Sequence, residues 1–335
     1  MKKIFNKSVK ILLPMVLGAL ILYMIYSDFN FSQLWEPLRE MDLYWFALST
    51  FFGIMSHVLR GWRWRLAFEP LGYNPSSRVS VYSIFIAYAA NLVIPRVGEV
   101  SRCVVLEQYE KVPFAQSLGT VVAERAIDTL MVAMLTVIAV CLQWPVFTRF
   151  LSDAGFGTGG NSFFASAGGW AVVLLCAVAI AVLLYFLLRK MALWKRIKVF
   201  ILNFSEGLTF LKKTRHVWLF VLETVGIWFC YFMQFYLCFF CFPFSSTLSL
   251  FAGLMLFVAG SIAVVVPTPN GAGPWHFAVI SIMVLYGVST TNASVFALIV
   301  HSTQTLLVAV LGVYALIMLH VRQYLKKTID NKKRI

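Results

Sequence analysis

The chain has 335 residues, 60% of them hydrophobic and only 13% charged, with a mean hydropathy of +0.82. A water-soluble fold of that length could not cover so much apolar surface, which excludes the soluble classes. The net charge of +14 does not point to nucleic acid, because the cations gather in a few segments beside apolar runs and form no single basic face.

The apolar runs have the length a helix needs, at roughly 1.5 Å per residue, to cross about 30 Å of hydrocarbon. They fall at 11–26, 43–59, 79–95, 116–143, 168–188, 217–242, 248–266, 274–288 and 293–320. Lipid offers no partner to backbone N–H and C=O groups, and the runs lack the alternation of barrel strands, so they are predicted to be helices. Lys2, Lys3, Lys7 and Lys10 precede the first run as in a secretory signal. No small-x-small cleavage site follows Tyr26, so the run is read as a helix.

The acidic stretch 27–42 is expected to face outward, after which 43–59 returns to the cytoplasm. Arg60, Arg63, Arg65 and Arg78 are then read as cytoplasmic flanking charges, with Trp62 and Trp64 in an interfacial belt. The segment 79–110 is broken by Asn91 through Glu99, with Pro95 and Gly98 inside the break. Run 116–143 goes out, the glycine-rich loop 144–169 faces outward, and 168–188 returns to the basic loop 189–215. Run 217–242 goes out again, and 248–288 is broken by the stretch from Pro267 to Pro274. Run 293–320 then leads to a basic cytoplasmic tail. Counting sides gives an all-α polytopic fold of six crossings and two broken, re-entrant hairpins, both termini being cytoplasmic.

Two helices, a broken hairpin and a helix with polar residues recur from opposite sides, as in inverted-topology repeats. The chain is thus expected to be a single membrane domain, 1–335, with half-repeats 1–145 and 166–335. Cys103, Cys141, Cys176, Cys230, Cys238 and Cys241 are read as small hydrophobes, not as zinc or redox groups. No metal or cofactor is expected.

Glu124 and Asp128 are four residues apart and share a helix face, with Arg125 beside it. One charge near a helix centre costs roughly 2.5–3.5 kcal/mol on insertion scales, so three need pairing or water. They make either a structural ion-pair cluster or part of a transport cavity. Arg96, Glu99 and Arg102 follow the first break. A guanidinium fork suits phosphate, so Arg96, Arg102 and Arg125 are candidates to grip an anionic head group; alternatively they only neutralise Glu99, Glu124 and Asp128. In the second half Asn270 lies in the break, His276 follows it, and His301 and Gln304 lie in the last helix. These histidines could carry a proton, bind phosphate, or simply pack. His57 and His320, near predicted helix ends, have weaker claims.

The run Asn91 to Glu99, the helix with Glu124, Arg125 and Asp128, and the later proline-glycine break occur in an order that resembles the transmembrane domain of lysylphosphatidylglycerol synthases, a flippase-like family. The resemblance covers almost the whole chain. It implies movement of lipids or lipid-linked sugars between leaflets of the cytoplasmic (inner) membrane. In bifunctional members a soluble domain attaches lysine to phosphatidylglycerol. This chain ends soon after its last helix, so no aminoacyl-transferase activity is expected. In the commoner pattern a glutamate follows the second break and an arginine occupies the last helix, positions held here by His276 and His301.

The leading expectation is a flippase for an anionic-headgroup phospholipid or lipid-linked sugar, not an enzyme, with a polar groove between the two hairpins. The alternatives are an intramembrane enzyme acting on a lipid phosphate, with Glu124, Asp128 and the histidines as acid and base groups, and a membrane scaffold. No Walker motif is present, so direct use of ATP is not expected.

Overall fold

The computed structural model describes residues 15–144, 148, 216–266 and 268–332. The expected helix 168–188, the basic loop 189–215, most of the glycine-rich loop, Cys176 and Pro267 lie outside the described residues. Among the described residues every regular element is a helix.

Helix α1, Met15–Tyr26, is followed after a bend of 88° by a helical segment, Phe31–Glu40, inside the stretch read as an acidic outer loop. Its second part is α2, Trp35–Glu40. Asp42 opens α3, Leu43–Leu66, by accepting from the Tyr44 amide at 2.8 Å. Helix α4, Ser77–Val93, and α5, Val97–Glu110, flank a break of only three residues, Ile94, Pro95 and Arg96. The expected break was longer. Its ends are helical because the Asn91 side chain stays in α4 and accepts from the Gly98 amide at 2.8 Å.

Helix α6, Phe114–Leu142, follows Pro113, and α7, Val217–Leu237, runs into a 3-10 turn, Cys238–Cys241. Ser249 caps α8, Leu250–Ala263; a 3-10 turn, Pro269–Gly271, and α9, Pro274–Leu285, complete the second hairpin. Helix α10, Thr290–Lys332, begins earlier and ends later than its apolar run.

Three described helices are long and apolar enough to cross a membrane: Phe114–Leu142, Val217–Cys241 and Thr290–Leu325; the bent pair at α1 makes a fourth if counted as one span. Helix α3 has 24 residues, about 36 Å, but its last turns carry three arginines.

The helices are inside-out relative to those of soluble proteins. On α6, Ser117, Thr120, Glu124 and Asp128 are buried while Leu130, Val137 and Ile138 are exposed. Helix α3 packs on α7 and α4; α4 packs on α5 and α10; α6 packs on α5 and α8; and α9 joins α8 to α10. Exchanging α3–α6 with α7–α10 maps these contacts onto one another, α4 on α10 corresponding to α8 on α6. Close approaches rely on glycine: a Cβ on Gly98 would lie 2.0 Å from the Ala87 carbonyl oxygen, and one on Gly312 would lie 2.2 Å from Ala89 Cβ. One apolar cluster, around Phe239 and Phe296, meets the start of α3, and another, around Trp64 and Phe68, surrounds its end.

Four of the five described cysteines are buried, as packing residues should be, and Cys141 is exposed. Cys238 and Cys241 nevertheless share a single 3-10 turn, a short pairing that the sequence reading passed over.

Candidate functional site

Along one face of α3, Ser49, Gly53, Ser56, Arg60 and Arg63 recur at alternating intervals of four and three, and all are buried. That stripe aims two guanidiniums at the buried face of α6. Arg63, wholly buried, lies 2.9 Å from Asp128 and 3.2 Å from Glu124, and also donates to Thr224 at 3.3 Å. Arg60 pairs with Asp128 and donates to the Tyr231 hydroxyl at 3.0 Å, which in turn lies 2.8 Å from the Tyr88 hydroxyl. Arg102 pairs with Glu124 at 2.6 Å and stacks over Trp64, and Arg125 pairs with Asp128 at 2.9 Å.

The expectation that Arg60 and Arg63 are charges flanking the helix is therefore corrected as to their surroundings. Both belong to the buried cluster, because α3 continues past the first arginine to Leu66. Trp64 leaves the interfacial belt for the same reason: it is fully buried and donates to Thr120 at 2.9 Å, while Trp62 is exposed. With the α3 arginines included, four guanidiniums are ion-paired to two carboxylates, an excess of two positive charges among the paired groups, and the buried Glu223 of α7 interacts electrostatically with Arg63 without pairing to it. Glu99 offsets little of it, standing 3.9 Å from Arg125 with both side chains about 40% exposed.

A cavity of about 390 Å³ opens beside this cluster. Arg60, Arg125 and Asp128 form its charged wall, and Tyr88, Trp228 and Tyr231 an aromatic one. On the far side are Ser261, Asn270, Trp275, His301 and Gln304 from the second hairpin and α10. His57, read as a helix-end residue, is buried in mid-helix and also lines it, whereas His320 is exposed. His57 Nδ1, Trp228 Nε1 and Arg125 Nε face no hydrogen-bond partner among the described residues.

Of the residues singled out in the sequence, Arg125, Asp128, Asn270, His301 and Gln304 line the cavity. Arg96, Glu99, Arg102, Glu124 and His276 do not. Glu124 and Arg102 are locked behind the wall as each other's partners, and His276 is buried against His301, with ring centroids 4.5 Å apart. Arg96 is exposed in a left-handed conformation, φ 65°, and donates to the Val265 carbonyl at 3.3 Å. That contact joins the first break to the start of the second. Asn270, also left-handed at φ 50°, donates to Thr305 at 2.8 Å. Arg60, Tyr88, Trp228, Tyr231 and Trp275 were not read as site residues. The three-four spacing on α3 was a usable signal for Arg60; the aromatics look like ordinary membrane core.

The fold and this site define a helical membrane protein with a net-cationic cavity of about 390 Å³ where two broken hairpins approach. The family described as lysylphosphatidylglycerol synthase TM region matches residues 11–312, and the chain belongs to it. The chain is also similar to the glycosyltransferase AglD of Haloferax volcanii, at 27% identity over 129 residues, 38% of this chain and 21% of that protein. The shared part is thus about a fifth of the relative's length. No solved structure gives a significant match.

Proposed function

We propose that the chain moves an anionic-headgroup lipid, a phospholipid or a lipid-linked sugar, between leaflets, the head group passing through the central cavity while the acyl chains stay in lipid. The observation that carries this reading is the charge imbalance in the cluster behind and along the cavity wall, of which Arg60, Arg125 and Asp128 face the cavity itself. Four buried or half-buried guanidiniums outnumber their carboxylates by two, and burying unbalanced charge is costly unless a counter-ion completes it. A phosphate in the cavity meets the half-exposed Arg125 and the free Trp228 N–H, and a bidentate fork is the usual way a guanidinium holds it.

The reading places the chain in the cytoplasmic membrane with both termini inside, as six crossings and two inverted halves. The exchangeable helix contacts support the inverted halves. So do hairpin helices of 17, 14, 14 and 12 residues, too short to span about 30 Å each. It also favours a carrier over an intramembrane enzyme. Glu124 has two guanidiniums and Asp128 three, which leaves neither carboxylate available as a general base.

Mass spectrometry of lipids retained by the purified full chain tests the reading. Anionic lipids should be enriched over the membrane extract, and Arg125→Gln should lose that enrichment while eluting as folded protein. Retention of zwitterionic lipids in extract proportions by both proteins would overturn it. A chemically altered lipid after incubation would favour the enzyme.

A further inference from the structure

The hydrogen bonds around the second break fix the tautomers of two touching histidines. The Gly273 amide donates to His276 Nδ1 at 3.4 Å, capping α9, so the ring proton of neutral His276 sits on Nε2. His301 Nε2 lies 3.1 Å from the Asn270 carbonyl oxygen, which can only accept. Neutral His301 therefore carries its proton on Nε2 and presents Nδ1 as a lone pair.

The two rings respond differently to an added proton. On His276 it would have to enter at Nδ1, against the Gly273 N–H, and would break the cap of α9. On His301 it enters at Nδ1 and leaves the bond to Asn270 intact. His301 also lines the cavity, whereas His276 does not. Once charged, the His301 ring has the Trp275 ring at a centroid distance of 5.3 Å, within the roughly 6 Å at which an indole favours a cation.

The titratable and charged groups around that position come from every element packed against it. They are His57 and Arg60 on α3, Tyr88 on α4, Arg125 and Asp128 on α6, and Tyr231 on α7. Helix α8 contributes no ionisable group, only Ser261, while His276 on α9 touches His301 and Tyr26 of α1 stands beyond His276 at 5.8 Å. Asp128 is already committed to three guanidiniums, so among the described residues lining the cavity no free carboxylate awaits a protonated His301.

We propose that His301 is a proton-binding site whose occupancy is coupled to that of an anionic head group in the same cavity, so that lipid movement is proton-linked. His276 is the positioning residue that holds the second break. This rests on the reading of the cavity as the head-group path. An imidazolium added to an empty cavity increases an uncompensated positive charge, whereas one added to an occupied cavity faces the phosphate. By linkage each ligand then raises the affinity for the other by the same factor.

The test uses the full chain reconstituted in phosphatidylcholine vesicles carrying acyl-labelled fluorescent phosphatidylglycerol, with leaflet exchange followed by dithionite bleaching at pH 5.5 and pH 8. The wild type is expected to exchange at least tenfold faster at pH 5.5. His301→Gln, which keeps a donor toward Asn270, should fold normally and exchange slowly at equal rates at both pH values. His276→Gln, whose amide oxygen can still cap Gly273, should keep a pH-dependent rate. Wild-type exchange independent of pH, or a pH profile surviving in His301→Gln, would overturn the proton site and leave the head-group path standing. No protein-dependent exchange at either pH would overturn both.

Discussion

Removing a carboxylate from the buried cluster should cost more stability than removing an arginine. Glu124 is 1% exposed and pairs with Arg63 at 3.2 Å and Arg102 at 2.6 Å. Glu124→Gln keeps the shape but raises the positive excess from two to three and leaves Arg102 without its carboxylate. Breaking a buried pair from one side typically costs about 3–5 kcal/mol, and here two pairs are broken at once. Arg63→Met lowers the excess to one. Glu124 keeps Arg102, and Asp128 keeps Arg60 and Arg125. The loss is then chiefly that of charged hydrogen bonds, roughly 1–3 kcal/mol. The double variant Glu124→Gln/Arg102→Met should regain part of the loss, since it removes the orphaned cation. Thermal unfolding in detergent, with limited proteolysis as an independent ranking, reads the order. Equal loss in the two single variants, or a greater loss in Arg63→Met, would refute the charge balance from which the anionic ligand is inferred.

Other outcomes follow from single contacts. Gly98→Ala should destabilise the first hairpin by about 1–3 kcal/mol, because its Cβ would fall on the Ala87 carbonyl; faster hydrogen exchange across α4 and α5 is the readout. Trp228→Phe keeps an aromatic ring of smaller volume but removes the unpartnered indole N–H, so stability should fall only slightly while retention of anionic lipid falls several-fold in mass spectrometry. Asn270→Gly keeps the left-handed backbone and loses only the bond to Thr305. Asn270→Val must also force a β-branched residue to φ 50°, so it should melt well below the glycine variant.

Among the described residues, the helices of the long apolar runs, the places of both breaks and the shared face of Glu124 and Asp128 were legible because long apolar runs, proline with glycine, and four-residue spacing each have one dominant physical meaning. Arg60 and Arg63 were not. An arginine past an apolar run satisfies the positive-inside pattern whether its guanidinium reaches water or turns inward, and only the Ser49, Gly53, Ser56 stripe leading to it tells the two apart. The cavity aromatics were invisible for a related reason: Tyr88 and Tyr231 read as apolar span residues until α4 and α7 bring their hydroxyls to 2.8 Å. His276 and His301 are 25 positions apart in sequence numbering, and their contact depends on how α9 folds back onto α10.

The central claim is that the cavity passes anionic head groups. Its most direct measurement is leaflet exchange of acyl-labelled phosphatidylglycerol against equally labelled phosphatidylcholine, in vesicles with the wild-type chain and with Arg125→Gln. The account predicts fast exchange of the anionic lipid by the wild type alone, with the recovered lipid chemically unchanged. Equal exchange of both lipids, or undiminished exchange by Arg125→Gln, would contradict it.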